Sequence, residues 1–192
     1  MKFKALSVVI VFILVFTFFA TSALAWIAFG NKMQGGAAGR KFFIDSSADE
    51  YDESISIGAG YWNGRTSLVS LSETSTQSQS RFDCYWGNYY SDPGVIAATE
   101  FYLNNQITDP MDNDWFWCKI KFDSTNYKYE DEGGLSYFHR KGTSCHEFGH
   151  ALGLMHNNIT PTSVMCQLGY GRTVNSPSTD DVNGVVHIYT YY

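Results

Sequence analysis

Positive charge is scarce in this sequence: 13 lysines and arginines stand against 19 aspartates and glutamates, a net charge of −6. That balance offers no basic face to a phosphate backbone, so nucleic acid is excluded as a partner. Long apolar runs are scarce too. One extends from about Ala5 to Ala20, behind Lys2 and Lys4, and ends in Ala23-Leu24-Ala25; nothing comparable follows. Its order of charge, apolar core and small residues is that of a secretory signal peptide cleaved after Ala25. The run falls short of the ~20 residues that span a bilayer comfortably. Residues 1–25 are therefore expected to leave a secreted, extracellular product with no stable membrane insertion. Residues 26–192 then make one domain, long enough to bury a core of its own. Lys2 and Lys4 go with the leader, which leaves 11 basic residues against 19 acidic. No internal repeat divides the domain.

Cysteine is limited to Cys84, Cys118, Cys145 and Cys166, all in the exported part. An even count permits two disulfides there, and counting alone leaves three pairings open.

Lys41 to Asp45 reads as a short strand, followed by a helix from about Asp49 to Trp62 with Tyr51, Ile55, Ala59 and Trp62 on one stripe. Ser67 to Leu71 reads as a strand and Ser72 to Ser80, which lacks apolar periodicity, as a loop. Arg81 to Tyr90 is a strand or an ordered loop. Asp92-Pro93 opens a predicted helix, with Ile96, Thr99, Leu103 and Ile107 on its buried side, and Asp109-Pro110 stops it. Trp115 to Phe122 alternates as a strand with Phe116, Cys118, Ile120 and Phe122 facing the core. Leu135 to Phe138 is a short strand candidate. A last helix is predicted from about Ser178 to Tyr189, with Asp180 and Asp181 in its first turn. The order of elements is that of an α+β (mixed α/β) domain.

The chemistry concentrates in His146-Glu147-Phe148-Gly149-His150-Ala151-Leu152-Gly153-Leu154-Met155-His156. On a helix, residues four apart share a face, so His146 and His150 present two imidazoles to one ion. Gly153 can adopt positive φ and turn the chain, which returns His156 as a third ligand. Three neutral imidazoles leave one zinc position open, the arrangement of a catalytic rather than a structural site. Glu147, beside the first ligand, is placed to act as general base. Ser144 and Glu147 also stand at capping-box spacing. A helix that begins earlier puts Glu147 too deep to cap.

This run resembles the zinc signature of the metzincin metallopeptidases, H-E-x-x-H-x-x-G-x-x-H, and within them is most similar to the matrixins. Ser163-Val164-Met165 resembles their Met-turn, with Met165 as the apolar floor of the site. Asp180-Asp181-Val182-Asn183-Gly184-Val185 resembles the start of their final helix. The resemblance implies a zincin domain with a twisted mixed sheet, a zinc-binding active-site helix and a C-terminal helix. It implies a zinc endopeptidase acting on polypeptide substrates, with Gly134, Leu135, Ser136 and Tyr137 on the edge strand that holds an extended substrate. The pocket after the scissile bond would be walled by residues 168–174 and the motif helix. The Met-turn packs under the zinc helix in that family, which implies disulfides Cys145–Cys166 and Cys84–Cys118. The chain departs from the pattern at Cys166 and Gln167, where the family commonly has proline and related clan members a tyrosine. The family's second, structural zinc motif is missing, because only His139 and His187 remain outside the signature. No residue pattern supports calcium, and a cysteine-switch latency is not expected. A metal-containing binding module with little or no peptidase activity is the competing reading, and Glu147 argues against it.

Overall fold

The computed structural model describes residues 26–192; the predicted signal peptide lies outside them. Six strands form one mixed sheet: β1 (Ala37–Ile44), β2 (Val69–Glu73), β3 (Phe82–Gly87), β4 (Ala97–Leu103), β5 (Gln106–Thr108) and β6 (Trp117–Asp123), in spatial order β2-β1-β3-β6-β4-β5. The four strands from β2 to β6 run parallel, and β4 and β5 add an antiparallel edge. Among the described residues three α-helices accompany it: α1 (Asp52–Gly60), α2 (Tyr137–Ala151) and α3 (Thr179–Tyr191). The expected α+β architecture is present. Among the described residues no helix is long and apolar enough to cross a membrane.

The α1 stripe is as predicted, with Tyr51, Ile55, Ala59 and Trp62 all buried. Gly58 lets α1 lie against α2, since a Cβ there would meet Ser144 Cβ at 2.5 Å and the Cys145 amide at 2.7 Å. Phe148 carries α2 onto the sheet and makes edge-to-face contacts with Phe42 on β1 and Phe82 on β3. Cys118, Ile120 and Phe122 form the core face of β6 as expected, but Phe116 is exposed under the Arg81 guanidinium and Trp115 is buried instead. The change comes from Met33, which bridges to Trp115 ahead of the strand proper.

Two predicted elements are different in kind. The segment expected to be a helix from Asp92 to Ile107 is the β4–β5 hairpin. Its two-residue connection is Asn104-Asn105, both at positive φ (52° and 61°), the backbone state of the turn that matches strand twist. Leu135 to Phe138 is not a strand. Ser136 caps α2 by accepting from the His139 amide, and Tyr137 is already helical, so capping chemistry overrides strand preference there.

Neither expected disulfide forms; all four cysteines are buried free thiols. In the parallel β3–β6 register Cys84 faces Ile120 and Cys118 faces Phe82, so the two are offset diagonally. Cys145 lies on the side of α2 that meets Gly58 and Trp62, whereas the Cys166 thiol turns toward the Gln167 and Tyr170 carbonyls. Burial raises the thiol pKa of all four.

Candidate active site

Helix α2 begins at Tyr137, ten residues before Glu147. Glu147 therefore sits in the helix interior, and the capping-box reading of Ser144 and Glu147 fails. His146 and His150 occupy one face of α2, with their Nε2 atoms 3.0 Å apart. The helix ends at Ala151, and Gly153 at φ 105° reverses the chain. A Cβ at Gly153 would crowd Ile188 of α3 at 3.1 Å, a second reason for glycine. The turn is pinned from outside by the first described residues: the Phe29 amide donates to the Gly153 carbonyl and the Met155 amide to the Ile27 carbonyl. His156 then returns at the exposed rim, and the ring nitrogens of the three histidines lie within 4.8 Å of one another. His139 and His187 are elsewhere; His187 packs against Trp26 and Tyr191.

The tautomers are set by carbonyls. His146 Nδ1 lies 2.8 Å from the Val164 carbonyl and His150 Nδ1 2.7 Å from the Leu154 carbonyl, so each Nδ1 carries the proton and each Nε2 lone pair faces the cluster. Burial pushes the pKa of all three rings down, His150 to about 3, and the neighbouring imidazoles push His146 and His150 further. Neutral, convergent, correctly protonated imidazoles are what a zinc ion requires, so these residues fit the metal. No second group of three or more His, Cys, Asp or Glu side chains suited to a metal occurs among the described residues.

The floor is Met165, packed so closely under α2 that a Cβ at Gly149 would overlap its sulfur and stand 3.0 Å from Trp62. Its turn is fastened by Asp181 of α3, whose carboxylate accepts from Ser163 Oγ (2.5 Å) and from the Val164 amide (3.0 Å) while completing the capping box with Ser178. One buried acid thus completes a helix capping box and holds the amide of Val164, the residue whose carbonyl orients His146. The sequence places Asp181 in that first turn but not its reach to Val164.

Glu147 is buried at the base of an open cleft of about 650 Å³ that also exposes His146, His150 and His156. Burial lifts its carboxyl to about 7, while a hydrogen bond from Thr99 Oγ1 to Oε2 (2.8 Å) and the Arg172 charge pull the other way. Thr99 and Arg172 were not singled out as site residues from the sequence; only the Asp-Pro-Gly start and strand-like composition of 92–103 hinted at the former. Gly134, Leu135, Ser136 and Tyr137 do not line the cleft. The cleft is lined instead by Gly94 to Thr99, leading into β4, and by Gln167 to Tyr170 and Arg172. β5 pairs only with Phe101 to Leu103, so the outer edge of Ala97 to Glu100 has no strand partner among the described residues.

The family model described as Matrixin matches residues 77–190, more than half of the chain. The chain belongs to the matrixin family. In fold, this matrixin is similar to a chain of the GM1-bound form of the ECX AB5 holotoxin, with a TM-score of 0.55 at 14% identity over 86% of this chain and 88% of that one. No curated protein sequence matches this matrixin. The family supports a zinc metallopeptidase with a polypeptide substrate.

Proposed function

We propose that the protein is a secreted zinc endopeptidase, with His146, His150 and His156 as metal ligands and Glu147 as catalytic base. The observation that carries the reading is the convergence of three neutral imidazoles beside a buried carboxyl, at the base of an open cleft. A zinc ion bound there supplies Lewis-acid polarisation of a carbonyl and of water. Glu147 takes the proton of the attacking water on its carboxylate and delivers it to the leaving amine. Its place next to His146 on α2, with Thr99 Oγ1 bonded to Oε2, holds the carboxyl for both transfers. Met165 supports the imidazoles from below. The unpaired edge of Ala97 to Glu100 binds an extended peptide by main-chain hydrogen bonds, the role expected of Leu135 from the sequence. Secretion rests on the apolar run before Ala25. A metal-containing binding module without turnover would not need Glu147 in this place.

The test is chelator-sensitive cleavage of a mixed peptide library by the parent and by Glu147→Gln at equal zinc occupancy. Loss of the base is expected to lower hydrolysis by about 10² to 10⁴. Activity within about threefold of the parent rejects the assignment, because a general base cannot be worth so little.

A further inference from the structure

One wall of the cleft holds a buried cation that makes no ion pair among the described residues. Arg172 is only 5% exposed, yet it lines the cleft together with Glu147. Gly171, at φ 89°, turns the chain after Leu168–Tyr170, so that Arg172 points inward while Gly171 and Thr173 face solvent. Its Nη2 donates to Thr143 Oγ1 at 3.0 Å, and Nη1 reaches the Cys166 carbonyl only at 3.5 Å. Nε has no partner. Among the described residues no carboxylate lies within ion-pair distance of it; the one ion pair found there is Lys121 with Glu100. Glu147 is the sole acid lining the cleft, and its Oε2 is engaged by Thr99.

Guanidinium groups match carboxylates with paired, charge-assisted hydrogen bonds, and burying one without such a partner is costly. A substrate that brings the missing charge removes that cost on binding. We propose that Arg172 makes the recess between Thr143 and Leu168–Tyr170 a receptor for a carboxylate side chain, so that the enzyme selects Glu or Asp at the position following the cleaved bond. The recess lies on the Thr143 side of Glu147, one helical turn before the histidines. Apolar surface from Leu168 and Tyr170 packs the side-chain stem, and Nε with the free N–H groups of Arg172 receives the oxygens. The cleavage position rests on the peptidase reading; the affinity of the recess for a carboxylate does not.

Calorimetric titration of the zinc-loaded protein with three amidated tripeptides, Xaa-Ala-Tyr with Xaa as Glu, Gln or Leu, separates charge from shape. The Glu peptide is expected to bind about tenfold more tightly than the Gln and Leu peptides, the scale of one charge-assisted hydrogen bond. Arg172→Gln should abolish the difference and Arg172→Lys should keep part of it. Equal binding of Glu and Gln, tighter binding of Leu, or no binding of any peptide overturns the proposal. The comparison on the unsubstituted protein stands even where a variant fails to fold. Library cleavage run in parallel keeps the two readings apart. Selective binding without turnover rejects the peptidase and retains the receptor, whereas turnover without acid preference rejects the receptor alone.

Discussion

Replacing Asp181 with alanine should damage both stability and metal binding, although no part of Asp181 touches the histidines. Its carboxylate accepts from Ser163 Oγ, the Val164 amide, and the amide and hydroxyl of Ser178. Alanine leaves the Val164 N–H without a partner and the Ser163 hydroxyl without its acceptor. Each such buried group costs about 1–3 kcal/mol. Half of the capping box on α3 is lost as well, since the Ser178 amide and hydroxyl lose their acceptor while Ser178 Oγ still accepts from the amide of residue 181, which adds up to about 1 kcal/mol. Release of the carboxylate from its own desolvation offsets part of the sum, so a net loss of about 3 kcal/mol is expected. Asparagine keeps the shape: its amide can face Ser163 Oγ while its carbonyl keeps Val164, and only charge assistance is lost, about 1 kcal/mol. Because the Val164 carbonyl holds His146 Nδ1, the alanine variant should also bind zinc about 10- to 100-fold more weakly. Urea denaturation with and without zinc, together with a competitive zinc titration, measures both effects. An alanine variant within about 1 kcal/mol of the parent and with unchanged zinc affinity would refute the reasoning.

In the zinc-free protein the raised Glu147 pKa makes the folded state hold its proton more tightly than the unfolded state, whose value is the ordinary 4.5. Glu147's own contribution to stability should therefore fall as pH rises from about 4.5 to about 7, opposite in sign to the contributions of the three histidines, whose lowered pKa values favour the folded state as pH rises. Glu147→Gln should remove up to about 3 kcal/mol of that fall in denaturant titrations at the two ends of the window, and a parent–variant gap independent of pH contradicts it. His156→Ala should lower the zinc content of purified protein far below that of His139→Ala or His187→Ala; equal metal in all three rejects the ligand set. Gly58→Ala should cost about 1–3 kcal/mol in thermal or urea unfolding despite alanine's better helix propensity, because its Cβ would meet the α2 backbone. A stabilised variant would show that the helices can part freely.

The three histidines were legible because their geometry is local. An i, i+4 pair on one helix and a glycine turn need no knowledge of the sheet. The α1 stripe, the core face of β6 from Cys118 onward and the acidic first turn of α3 were legible for the same reason. The β4–β5 hairpin was not, because Ile96, Thr99, Leu103 and Ile107 happen to satisfy helical spacing; Asn104-Asn105 was the overlooked turn signal. The edge strand that the resemblance implied at Leu135 is instead the approach to α2, because Ser136 takes the helix-capping bond and Tyr137 is already helical. Thr99 bonds Glu147 only because strand pairing places β4 over α2, and Arg172 enters the cleft from a distant loop, neither of which spacing along the chain encodes. The disulfide pairings depended on backbone register that the sequence does not carry, and the β3–β6 ladder offsets Cys84 from Cys118.

The Gly153 turn, held by Ile27 and Phe29, bears on the order in which the metal site assembles. His146 and His150 need only a helix, and helices form in about a microsecond or less. The position of His156 depends on Ile27 and Phe29 reaching Gly153 and Met155, contacts between residues far apart in sequence that are expected to close later than a helix forms. With the ligand set proposed above, metal capture during refolding is expected to divide into a weak, early two-histidine step and a tight, late three-histidine step, the tight phase reporting the docking of residues 27–29.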